Sequence, residues 1–208
     1  MKQKHYDALE KHYNHYFQVI DPEKEINILH PMQDDGFHVD IAIYAPNKNR
    51  SYKILATMGA SDYAMKGKAG SLSNRNEFIT FVAADWDYQI EKDRWLCDWV
   101  SLTANYARLS GEFVTYSHTL DMSQVIGSET DDDFNMTAVQ IMFPQAIEDT
   151  GVLRAKLGLM RKVAVLHMMP LTEAELHMVR EGGDLEAMME RIYGENAPEN
   201  AFLSVRKR

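Results

Sequence analysis

Two short stretches carry residue types and spacings that suit chemistry. His38 and Asp40 stand two apart in Phe37-His38-Val39-Asp40-Ile41-Ala42-Ile43-Tyr44. A strand there projects both from one face. With His30 and Asp62 beside them they would form a histidine–carboxylate set suited to a divalent metal. The same spacing arises on the polar face of a half-exposed strand; that is the expectation, and no metal is assigned. Ser61-Asp62 follows Gly59, in the manner of a nucleophile on a sharp turn. A serine-hydrolase turn needs glycine two residues to either side of the serine. Tyr63 holds the second place, and nothing local positions His118 or His167 as a base. No catalytic residue is assigned.

The remaining candidates favour structure or binding over reaction. Gly67-Lys68-Ala69-Gly70-Ser71 lacks the spacing of a phosphate loop and reads as a turn or partner-contacting loop. Trp86, between Asp85 and Asp87, is either a structural plug or an aromatic anchor for a partner. His5, His12 and His15 fall on the expected polar face of a helix. Cys97, the single cysteine, lies between Trp95 and Trp99 and reads as a buried structural thiol. Glu129, Asp131, Asp132 and Asp133 lack calcium-loop spacing and read as a solvated loop.

Positioning these side chains falls to elements legible in the periodicity. Tyr6, Leu9, Tyr13, Tyr16, Phe17 and Ile20 make one apolar stripe, predicting a helix from about Lys4 to Val19 that Asp21-Pro22 ends. Strands are predicted at Glu25–His30, Phe37–Tyr44, Tyr52–Thr57 and Glu77–Ala83. The local hydrogen bonds of Ser61 and Asp62 are expected to hold the turn between the last two. A long helix from about Gln89 to Leu109 stops at Gly111, and strands follow at Phe113–Leu120, Thr137–Phe143 and Lys162–Met169. Pro144 to Gly158 reads as a connection. Thr172-Glu173-Ala174-Glu175 is a capping box, with Leu171 and Leu176 as its hydrophobic staple. Gly182-Gly183 stops that helix, Asp184 caps another carrying Leu185, Met188, Met189 and Ile192, and the tail after Pro198 is expected to fray.

Strands in runs predict an α+β fold: a mixed, largely antiparallel sheet with a long central helix, an N-terminal helix and two short C-terminal helices. The 208 residues suit a single domain over 1–208. A net charge of -9 opposes non-specific nucleic-acid binding and would steer a basic protein partner. No signal peptide or membrane span is visible, which predicts a cytoplasmic protein.

His38-Val39-Asp40-Ile41, Tyr44-Ala45-Pro46, Leu55 through Asp62 with Met65, and a strand running to Asp85-Trp86 resemble the suppressor-of-fused domain. So does the segment from Met169-Pro170-Leu171-Thr172 into Gly182, and the resemblance covers about residues 25–194. It implies the family's α+β fold and a non-catalytic protein-binding module without cofactor. For a bacterial member it implies an immunity protein, whose partner is a polymorphic toxin, here a basic one encoded nearby. The resemblance also carries a partner-groove tyrosine and acid over to Tyr106 and Glu112, flanking Gly111. Together with His38, Asp40, Ser61, Asp62 and Trp86, these are the partner-binding candidates. A metal-dependent or serine hydrolase using His38, Asp40 or Ser61 stays open as an alternative, as does a scaffolding protein. Oligomeric state is left open.

Overall fold

The computed structural model describes residues 1–31, 36–66, 73–123, 134–182 and 203–204. Among them, one mixed sheet holds eight strands. These are β1 (Ile26–Leu29), β2 (Asp40–Tyr44), β3 (Lys53–Met58), β4 (Asn76–Val82), β5 (Thr119–Asp121), β6 (Met136–Met142), β7 (Arg154–Lys156) and β8 (Lys162–Thr172). The sheet runs β1-β2-β3-β4-β8-β6-β5, with β7 paired to β8. Only β4 and β8 pair in parallel. The long β8 takes β7 along Lys162–Ala164 and β6 along His167–Thr172.

Helices cover both faces. α1 (Gln3–Tyr16) packs Leu9 and Tyr13, with Phe17 behind them, onto Ala42, Tyr44, Ile54 and Phe81. Tyr13 stacks on Phe17 at 5.0 Å, and both meet the edge of Tyr44. α3 (Trp95–Ser110) lays Leu96, Trp99 and Val100 on the opposite face, against Ile41, Ile43, Leu55 and Phe78. The period-two alternation of β2 therefore separates two cores, not core from solvent. All five β2 residues are buried, so its expected half-exposed polar face is corrected.

Several boundaries move for local reasons. Ile20 leaves the apolar stripe and is 54% exposed, because α1 ends at Tyr16 and Gln18 turns the chain with φ 55°. His12 is half-buried, not on a free polar face, with Nε2 2.9 Å from the Val152 carbonyl. A short 3₁₀ turn, Glu91–Asp93, precedes α3. The strand predicted over Phe113–Leu120 shrinks to β5, since a turn at Thr115–His118 with Ser117 at φ 70° breaks the ladder. The connection from Pro144 to Gly158 contains a 3₁₀ turn, Thr150–Leu153, and then β7.

α2 is the single turn Pro22–Glu25, and α4 (Glu173–Arg180) starts in the predicted capping box. The Thr172 side chain accepts from Glu175 N at 3.2 Å, and Glu175 Oε2 accepts from Thr172 N at 2.7 Å. The expected tail does not fray throughout. Leu203 is buried, and Ser204 donates its N–H to the Phe81 carbonyl at 2.7 Å. The Gly67–Ser71 loop, the acidic run 124–133, the helix expected after Asp184 and the final 205–208 lie outside the described residues. Among the described residues, no helix is long and apolar enough to cross a membrane.

Candidate functional site

The turn after β3 is built around a carboxylate. The β3–β4 ladder closes at Ala56↔Ile79. Beyond it, Phe78 N donates to Thr57 Oγ1 at 2.8 Å, and that hydroxyl donates to Glu77 Oε2 at 2.6 Å. Glu77 Oε1 accepts from Gly59 N at 3.1 Å and Ser61 N at 3.0 Å. The glutamate is fully buried. Burial raises its pKa, and the hydrogen bonds from Thr57, Ser61 and Gly59 oppose that rise. Gly59 is required here: its φ is +130°, and a Cβ would sit 2.5 Å from the His38 carbonyl oxygen.

Ser61 and Asp62 fall in the 3₁₀ turn Ala60–Asp62, so the chain does not continue there as strand. The turn is held by Glu77, sixteen residues on, more than by its own side chains. Ser61 is fully buried and its hydroxyl lies 3.4 Å from Arg161 Nη2, a cation and no base. Glu77 went unassigned from sequence. Its signal was an acid near the start of a strand, Asn76–Val82, that is buried along its whole length.

Asp62 is committed to ion pairs: Arg161 Nη2 at 2.6 Å and the Met1 amine at 2.8 Å. Burial pushes its pKa up, but the hydrogen bonds and charges of the Met1 amine and Arg161 outweigh this and hold it below the usual range. Arg161 also donates to the Ser61 carbonyl at 2.6 Å, and Arg75 donates to the carbonyls of Ser61 and Asp62 at 2.7 and 2.8 Å. Asp62 does not join the histidines.

His30 and His38 do converge on Asp40. His30 Nδ1 lies 2.7 Å and His38 Nε2 2.5 Å from the same oxygen, Asp40 Oδ1. Both rings are exposed, while Asp40 is buried. These three are the described residues that could hold a metal, with one ligand atom from each within 4.8 Å of the others. The two imidazoles already satisfy the buried carboxylate as hydrogen-bond partners.

Trp86 lies in the core with Leu96 and Trp99 at 9% exposure, the geometry of a plug. Tyr106 and Glu112 meet: the phenol donates to Glu112 Oε2 at 2.9 Å on the surface. Gly111, at φ 76°, closes α3 in the left-handed conformation and folds Glu112 back toward Tyr106. The hydrogen bond to Glu112, then burial, raises the Tyr106 pKa. Beside them Leu109 is 66% exposed. Arg108, the residue before Leu109, sits 4.8 Å over the ring of Phe37, joining this helix end to the segment that carries His38.

The candidates thus form a buried structural turn, a histidine–aspartate cluster and an exposed tyrosine–glutamate pair. Such an arrangement suits a protein-binding domain. In sequence, residues 35–200 match the family of Suppressor of fused protein (SUFU), and the chain belongs to that family. No curated protein matches it significantly in sequence. Among solved structures, it is similar to a suppressor of fused homologue from Neisseria gonorrhoeae FA 1090. That likeness has a TM-score of 0.63 and 12% identity, over 98% of this chain and 95% of the homologue. It is similar also to the structure of a Sufu–Fu complex, at TM-score 0.63 and 11% identity, over 97% of this chain and 89% of the other. At such identities the likeness is one of fold.

Proposed function

We propose that this chain is a non-catalytic protein-binding module, a cytoplasmic bacterial immunity protein acting as a single domain that neutralises a toxin by covering its active face. The observation that carries the reading is the exposed end of α3, where the Tyr106–Glu112 pair stands beside Leu109. An aromatic, an acid and an aliphatic group on rigid backbone suit a binding hot spot. Family membership supports the binding role, and one relative of the same fold was solved in a Sufu–Fu complex. The net charge of -9 supports a basic toxin, whose encounter it would accelerate. Co-expression with the protein encoded next door tests this. Rescue of growth together with a stable complex is expected; a toxic neighbour that is neither bound nor neutralised overturns the reading.

A metal-dependent hydrolase is the second reading, and the shared oxygen of His30, His38 and Asp40 is what favours it. Metal analysis of the purified protein, with and without the double change His38→Ala and Asp40→Ala, separates the two. The serine branch has the buried Ser61 hydroxyl against it.

A further inference from the structure

The acidic chain carries a basic face. α1 and the hairpin joining β7 to β8 frame two adjoining recesses, of about 900 and 740 Å³, that share Ala8 and Lys162. Lys4, Arg75, Arg161 and Lys162 line the first. Lys11, Arg154 and Lys156 line the second, again with Lys162. Neither recess has an aspartate or glutamate among its described lining residues. Seven of the chain's 22 lysines and arginines therefore gather here. The face stays net positive even after Asp62 is set against Arg161.

Arg75 and Arg161 are held in place, whereas Arg154 is exposed like the lysines. Arg161 is fixed by Asp62, the Ser61 carbonyl and His5 Nδ1 at 3.1 Å, and Arg75 by the carbonyls of Ser61 and Asp62. Lys4, Lys11, Lys156 and Lys162 are exposed. The hairpin tip lines the first recess. Leu157 N donates to the Arg161 carbonyl at 2.9 Å, and Gly158, at φ +127°, turns the chain. Leu159 and Met160 project there at 104% and 94% exposure, the most exposed large apolar side chains described. Fixed cations beside two uncovered apolar groups make a surface of mixed chemistry that water alone satisfies poorly.

We propose that this face docks an acidic protein segment, with carboxylates over the Lys4–Lys162 recesses and an apolar residue against Leu159 and Met160. Charge complementarity selects the occupant. A nucleic acid would satisfy the cations but not Leu159 and Met160. Its further phosphates would also meet a molecule of net charge -9 within a screening length of about 8–10 Å. A short peptide confines its charge to the recesses, and recesses of this size hold only a few side chains. The segment belongs to a surface distinct from the Tyr106–Glu112 end of α3, so the two bindings succeed or fail separately.

The test uses the full chain and a short fluorescent peptide rich in glutamate and leucine, read by anisotropy. Its controls are the same peptide with glutamine for glutamate, the same peptide with serine for leucine, and a single-stranded oligonucleotide of equal charge. Binding that weakens with salt is expected. The double variant Lys4→Glu/Lys162→Glu should lose it by roughly tenfold or more, as should Leu159→Ser/Met160→Ser. Tyr106→Ala should leave it unchanged, and the melting temperature of each variant checks that it folds. Absence of peptide binding, equal binding of the glutamine or serine peptide, or tighter binding of the oligonucleotide overturns the proposal.

Discussion

Glu77 accepts the hydroxyl hydrogen of Thr57 at 2.6 Å, a buried bond spanning twenty residues that joins β4 to β3 where their ladder ends. The same carboxylate takes the N–H groups of Gly59 and Ser61. One side chain thus replaces the backbone pairing that the turn interrupts.

Glu77→Ala strands three buried donors. The expected loss is about 3 kcal/mol or more, which for a domain of this size lowers the melting temperature by roughly 6–12 °C. Glu77→Gln keeps an acceptor for the two N–H groups and should lose about 1 kcal/mol. The folded pKa of Glu77 is raised, so protonation favours the native state. Its contribution to stability falls as pH rises from the ordinary carboxylate value through the raised one. Chemical denaturation across pH should show that slope in the parent and its absence in Glu77→Gln.

Gly59→Ala places a Cβ 2.5 Å from the His38 carbonyl oxygen at a φ of +130°. Backbone strain and the clash together should destabilise by about 2 kcal/mol or more. Gly36→Ala is the control for strain alone: its φ is +76° with nothing within 4 Å, and it should lose less. Equal melting temperatures for the two variants would contradict the close approach of the turn to His38.

Asp62 supplies the opposite pH dependence. Its pKa is lowered in the fold, so its stabilisation is present above the ordinary carboxylate value and lost as pH falls through the lowered one. Asp62→Asn should lose less than about 1 kcal/mol at neutral pH, because the pair is partly solvated. The parent and variant curves should converge in acid. A stability gap that persists below the lowered pKa would rule out the ion pairs with Arg161 and Met1 as its source.

Thr172→Ala removes the cap of α4 and should destabilise by about 1 kcal/mol. Glu175→Ala opens the other half of the box, leaving Thr172 N without its acceptor. Because both act on one unit, the double variant should lose less than the sum of the single losses. Urea denaturation of the four proteins reads the coupling directly.

Tyr106→Ala and Glu112→Ala test the proposed partner surface. Glu112 is exposed, so Glu112→Ala should shift stability by less than about 0.5 kcal/mol. The partly buried Tyr106 packs on the core beneath α3, and its change to alanine should cost about 1–2 kcal/mol. Partner affinity should fall by roughly tenfold or more for Tyr106→Ala if it is a hot spot. Titration calorimetry with the purified neighbour-encoded protein measures this. Unchanged affinity in both variants would move the interface elsewhere on the molecule.

What could be read in the chain itself was what neighbours in sequence decide. The stripe of α1 as far as Phe17, the stop of α3 at Gly111 and the Thr172–Glu175 box depend on residues close in sequence, and these stand in the structure. Suppressor-of-fused membership was legible because short motifs keep their order along the chain. The contact between Tyr106 and Glu112 was within reach as well, since a single helix end brings them together.

What the tertiary structure alone decided were encounters between distant segments. Glu77, only the first residue of a predicted strand, gains its role where β4 lies beside the turn after β3. Asp62 looked like a partner for His38 until Arg161, ninety-nine residues later, took it. Asp40 was expected on a half-exposed face, but helices cover both sides of β2, and alternation cannot tell water from a second core. The basic face draws on residues from α1, from the start of β4 and from the β7–β8 hairpin. A sum over the chain reports only -9, because net charge carries no positions and folding assigns them.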